Sequence, residues 1–232
     1  MASRPDTLAS SRLRRLAQRP AERADEPDER CELCNAPIAA DHRHLLDTSS
    51  RELKCTCRAC SLLFDRKAAS RGHYRLVPER RLRLADFELS DLSWEELRLP
   101  VDMAFFFRSS VEDRVMAFYP SPMGPTESLL QLDAWTQLER DNPVLRSMRS
   151  DVEALLVNRA RGARQQWLVP IDECYRLVGL IRTSWRGLTG GKEVWEAIGR
   201  FFEELDARSR PALHESAGDT ANPAAGTAAE RR

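Results

Sequence analysis

Thirty residues from Cys31 to Cys60, reading CELCNAPIAADHRHLLDTSSRELKCTCRAC, hold five of the six cysteines and two of the four histidines of the chain. No other stretch restricts the fold so tightly. Thiols at Cys-x2-Cys spacing point the same way around a tight backbone turn and present two sulfurs to one ion. Cys31 and Cys34 make one such pair, and Cys57 and Cys60 make a second after 22 intervening residues. Four thiolates complete a closed tetrahedral site, which is structural because no position stays open for water or substrate. Cys55 stands two residues ahead of the second pair, so it is a possible substitute ligand and the ligand set is ambiguous by one. Zinc is the expected metal; an iron–sulfur cluster is the alternative, although the bacterial ferredoxin cysteine run is missing. Disulfides are not expected, because no secretory signal precedes the cysteines and cytosolic thiols stay reduced. His42 and His44 are open to three readings: ligands, supporting or catalytic groups, or exposed loop histidines.

The order Cys-x2-Cys, Asp41-His42-Arg43-His44, Arg51-x-Leu53-x-Cys55 and a closing Cys-x2-Cys resembles the zinc-stapled ββα-metal (HNH) nucleases of the endonuclease VII type. That resemblance implies Cys31, Cys34, Cys57 and Cys60 as the zinc staple, Asp41 as a magnesium ligand and His42 as the general base. Asp41, His42 and His44 are catalytic candidates under this resemblance alone. The pattern departs at Ser61, where the family carries asparagine, and at the additional Cys55.

A chain of 232 residues, 42% hydrophobic, is long enough for one good core or a core with a small module. Its formal net charge is zero, which argues against a uniformly basic binder of nucleic acid or membrane. No apolar run reaches the roughly 20 residues that span a bilayer, and a cytoplasmic protein is expected. Residues 1–30 read as a disordered arm, basic and then acidic, with Pro5, Pro20 and Pro27 and few apolar groups. Residues 31–78 form the cysteine-rich metal-binding module. Residues 79–207 form an α+β domain, and 208–232 read as a disordered tail.

Within the module, Leu62-Leu63-Phe64 and the run to Leu76-Val77 predict a short helix and a strand. Ser93-Trp-Glu-Glu96 has the form of a capping box, predicting a helix from near Ser93 to before Pro100. The runs MAFFF (103–107) and VMAFY (115–119) flank a polar turn and predict a hairpin, as do 154–157 and 166–170 around Gly162. The three prolines between Pro120 and Pro125 predict a rigid extended loop. Leu129–Leu138 carries helical spacing. A further helix is expected from Asp172, with Cys174 as a small buried hydrophobe, and a last amphipathic helix through Val194, Ile198, Phe201, Phe202 and Leu205. Gly187-Leu-Thr-Gly-Gly-Lys192 is not a P-loop, since Arg186 and Glu193 occupy places that need Gly and Ser/Thr.

Taken together, CELC, HRHLLD, CRAC, AFFFRSS, AFYPSP, PTES, DVEALLVNR, LVPIDECYRLVGLIR and GGKEVW are similar, over roughly residues 30–206, to an actinobacterial family of unknown function encoded in gene clusters for uptake nickel–iron hydrogenases. The resemblance implies an accessory role, with hydrogenase subunits or maturation proteins as partners, and supplies no catalytic residues. The expectation is therefore a small zinc-binding module followed by an antiparallel sheet of about four strands, packed under two C-terminal helices. Its function is that of a non-enzymatic metal-binding accessory protein. The alternatives are an iron–sulfur electron-transfer protein for the hydrogenase and a metal-dependent nuclease, the latter alone bringing nucleic acid as a partner.

Overall fold

The computed structural model describes residues 29–66, 72–129, 131–187 and 189–212. The arm reading for 1–30 falls almost wholly outside these residues, and so does most of the tail reading. The cysteine-rich module folds first around a hairpin of β1 (Arg43–Asp47) and β2 (Glu52–Thr56). β3 (Tyr74–Leu76) pairs with the free edge of β1, giving a three-stranded antiparallel sheet of order β2-β1-β3. Asp47 closes the hairpin by accepting from the Ser49 amide at 2.9 Å and from the Ser49 hydroxyl, the local bond that makes aspartate a turn residue. α1 (Arg58–Phe64) follows β2 directly.

The rest of the chain builds a seven-stranded sheet. Besides β4 (Leu82–Arg83) it contains β5 (Met103–Ser109), β6 (Arg114–Ser121), β7 (Gly124–Ser128), β8 (Glu153–Asn158), β9 (Gln165–Pro170) and β10 (Arg210–Pro211), in the order β10-β4-β9-β8-β5-β6-β7. The two expected hairpins, β5–β6 and β8–β9, form its middle and meet through the antiparallel pair β5–β8. The expectation of about four strands undercounts the sheet, because short strands extend both edges. β10 lies just past Arg208 and pairs in parallel with β4. β7 replaces the expected proline loop: Pro120 faces Pro125 and Ser121 faces Gly124, leaving Pro122 and Met123 as a two-residue turn. Proline is tolerated there because β7 is an edge strand and Pro120 lies outside the paired stretch of β5 and β6, so no ladder bond toward β5 is forfeited.

Helices cover both faces of this sheet. Side chains alternate across a strand, and in β5 Met103, Phe105 and Phe107 join one core while Ala104 and Phe106 join the other. The first core is closed by α4 (Ile171–Ser184) and α5 (Gly191–Arg208) through Leu177, Ile181, Ile198 and Phe202. The second is closed by α2 (Asp91–Glu96) and α3 (Leu132–Asp141) through Trp94, Trp135 and Leu138. A sheet buried on both sides reads as unbroken apolar runs, which accounts for MAFFF and for β8, whose six residues are all buried. α2 starts at Asp91, two residues before the predicted start, because Ser90 is the cap: its Oγ accepts from the Ser93 amide at 3.0 Å. Leu129 is 85% exposed and α3 begins after it.

The module is seated on the first face. Leu46 of β1 and Val77 are buried members of the core that α4 and α5 close, and Leu53 packs against it. Arg51 pairs with Glu112 at 3.0 Å and Arg75 with Asp151 at 2.9 Å across the seam. The module's own apolar cluster is small, with Cys31, Ile38 and Cys60 buried and Leu33, Cys55, Cys57 and Phe64 packed around them. A cluster of that size does not hold a fold by burial alone.

Candidate metal centre

The first pair of thiols sits on a knuckle in which the Cys31 amide donates to the Ala36 carbonyl and the Asn35 amide to the Cys31 carbonyl, each at 2.8 Å. Asn35 takes a left-handed φ of 60°, a conformation asparagine adopts more readily than most residues. The second pair sits at the start of α1. Cys57 is the N-cap residue, and its sulfur accepts from the Cys60 amide at 3.4 Å. The Glu32 amide donates to the Cys55 carbonyl at 2.9 Å, which ties the knuckle to β2 and brings the two pairs together. The sulfurs of Cys31, Cys34, Cys57 and Cys60 then lie within 4.8 Å of one another.

This geometry fits a single ion. Zinc–sulfur bonds of about 2.3 Å at tetrahedral angles separate the sulfurs by about 3.8 Å, and Cys34 Sγ lies 3.7 Å from Cys57 Sγ. All six cysteines are free thiols. The thiols also act on one another electrostatically. Burial raises the Cys31 thiol, but the amides of Cys57, Leu33 and Cys34 outweigh it and bring the pKa down to about 6. Cys60 is pushed strongly up, by burial first and then by the neighbouring thiols of Cys34, Cys57 and Cys31. At Cys34 the Ala36 amide favours the thiolate, yet the neighbouring sulfurs of Cys31 and Cys57 leave the pKa raised. The thiolate is favoured at Cys31 and opposed at Cys34 and Cys60, as expected of like charges crowded into one space. The four cysteines together could bind a metal ion, which would offset that repulsion and favour the deprotonated ligands.

The remaining candidates separate from this group. Cys55 gathers with His42 and His44, the ligand atoms of these three again lying within 4.8 Å of one another. Burial, and then the carboxylates of Glu32 and Glu29, push the Cys55 thiol up. Asp41 is exposed and belongs to neither group. Cys174 is fully buried in the first core, and burial together with Glu173 and Asp172 raises its thiol well above the ordinary range, in keeping with an inert packing role.

Two features were not visible in the sequence. Asp172, at the start of α4, accepts from Nδ1 of His44 at 2.9 Å, a pairing across 128 positions that only the docking of module on sheet creates. A cleft of about 430 Å³ lies beside α2, lined in part by Trp94, Asp102, Arg159 and Arg164. Both arginines are already paired with Asp91, so the cleft offers little free positive charge. Among the described residues no helix is long and apolar enough to cross a membrane.

The chain matches the model of the family described as Family of unknown function (DUF5947) over residues 30–209, and it belongs to that family. No curated protein and no solved structure matches it.

Proposed function

We propose that this protein is a zinc-stapled accessory protein without chemistry of its own, in which Cys31, Cys34, Cys57 and Cys60 hold one ion and lock the module onto the α+β domain. The observation that carries this reading is the gathering of four thiols from two distant pairs to within 4.8 Å, at a spacing suited to one tetrahedral ion. An iron–sulfur cluster interposes iron and sulfide between its cysteines and so spaces them more widely, which favours zinc. A closed four-thiolate site leaves no position for a substrate, so the protein would act through a partner. The motifs shared with the hydrogenase-cluster family make subunits or maturation proteins of a nickel–iron uptake hydrogenase the partner of choice, met in the cytoplasm where thiols stay reduced.

The test is metal analysis of the full chain, purified without oxygen from cells supplied with iron and zinc, together with a variant. Colourless protein carrying zinc, with one equivalent lost in Cys34→Ser, is the expected result; retention of hydrogenase subunits on the immobilised native chain would identify the partner. Iron with labile sulfide would replace this reading by electron transfer. Magnesium-dependent DNA cleavage that disappears in Asp41→Ala would replace it by a nuclease.

A further inference from the structure

The hairpin puts His42, His44 and Cys55 on one face. His44 and Cys55 are directly opposed in the β1–β2 register, and directly opposed residues of an antiparallel pair project to the same side. His42 lies two positions before His44, the spacing that returns an extended chain to the same face. The two rings meet edge to face with centroids 4.8 Å apart.

Each ring has one nitrogen committed. Nδ1 of His42 lies 2.9 Å from the Ala39 carbonyl oxygen and 3.3 Å from the Glu29 carboxylate. A carbonyl only accepts, so this nitrogen carries the proton. Nδ1 of His44 donates in the same way to Asp172 at 2.9 Å. In the neutral rings both Nε2 atoms are therefore lone-pair donors. This is the arrangement by which metal-bound histidines are held, with the far N–H given to a carboxylate or a backbone carbonyl. Nε2 of His42 is buried, has no hydrogen-bond partner, and belongs to a side chain only 9% exposed. Leaving such an atom unsatisfied forfeits its hydration without a replacement partner. Oδ1 of Asp172, across the same seam, is also buried and unpartnered.

We infer that His42, His44 and Cys55 form a second metal site, for a divalent transition-metal ion of the zinc class, at the seam between module and sheet. Nitrogen and thiolate ligands select borderline ions of that class over magnesium or calcium. Three protein ligands leave a fourth position for water, in contrast to the closed four-thiolate set. Metal bonds of about 2.0–2.3 Å bring donors to about 3.3–3.6 Å of each other, and one ligand atom from each of the three residues already lies within 4.8 Å of the others. Binding releases the Cys55 proton and satisfies the buried Nε2 of His42.

The inference stands independently of the four-thiolate reading. The full chain, stripped of metal under reducing conditions, is titrated with cobalt(II) without oxygen and followed by its visible bands, and zinc content is measured in parallel. Two equivalents are expected for the native chain and one for Cys55→Ser and for His42→Gln, with the bands of the four-thiolate ion retained. His42→Gln keeps a polar group in the pocket, and circular dichroism of both variants reports whether the fold persists. A native count that stays at one in both variants, or a count of two that neither variant lowers, overturns the second site. A native count of one that falls to none in both folded variants leaves the second site standing and removes the four-thiolate ion instead.

Discussion

Glu153 is a carboxylate with no exposed surface, and Arg80 grips it in a two-pronged bond, Nε to Oε1 at 2.9 Å and Nη2 to Oε2 at 2.7 Å. The Arg149 amide adds a third donor at 2.9 Å. A planar guanidinium matches both oxygens at once, which a lysine cannot do. Removing one partner of a buried pair strands the other charge, a loss of about 3–5 kcal/mol. Arg80→Ala should therefore lower the unfolding free energy measured by chemical denaturation by about 3 kcal/mol or more, and Arg80→Lys should recover only part of it. A loss below about 1 kcal/mol in Arg80→Ala would show that Arg149 and solvent suffice. Glu173, in the first turn of α4, repeats the device with Arg81, Arg176 and Arg208 around one buried carboxylate.

At the scale of elements, the turn between α4 and α5 depends on Gly190. It adopts φ 85°, and a Cβ there would come within 2.7 Å of Val194 and 3.0 Å of Trp185. The left-handed conformation costs an ordinary residue about 1–2 kcal/mol, and the contact with Val194 adds to it. Gly190→Ala should destabilise the protein by about 2 kcal/mol or more in chemical unfolding, whereas alanine at Gly199, which meets nothing within 4 Å inside α5, should be neutral or slightly stabilising. Equal effects at the two positions would remove the steric account. The same turn explains why the glycine run of 187–191 serves helix termination: Arg186 and Gly190 bridge across it, with α4 ending before and α5 starting at once after.

For the whole molecule, the question is whether module and sheet unfold together. Leu46 and Val77 belong to the same core as Phe105, Leu177 and Phe202, and His44 is held by Asp172 of α4. Loss of the proposed four-thiolate ion should therefore reach the sheet. Stripping metal with a strong chelator is expected to lower the melting temperature of the full chain by more than about 5 °C, given that 1 kcal/mol moves Tm by about 2–4 °C at this size. It should do so as a shift of one transition. Appearance of a separate early transition, with the main one unmoved, would mean that the module melts alone.

Much of this molecule follows from local pattern. The two cysteine pairs announce a cluster of four thiols that could bind a metal ion because their spacing is a property of the chain, and the apolar runs of β5, β6, β8 and β9 announce two hairpins because strand pairing across a short turn is also local. The period of α5 shows its buried face without reference to anything else. Other features depend on which surfaces meet. The strands β4, β7 and β10 are short or proline-bearing, and only their neighbours in the sheet make strands of them. Helices on both faces were likewise beyond the pattern, since an unbroken apolar run does not say what covers each side. The division of Cys55 from the other four thiols, its alignment with His44, and the meeting of His44 with Asp172 are set by register and docking. These depend on contacts between residues far apart in the chain, which the order of amino acids encodes only through the fold as a whole.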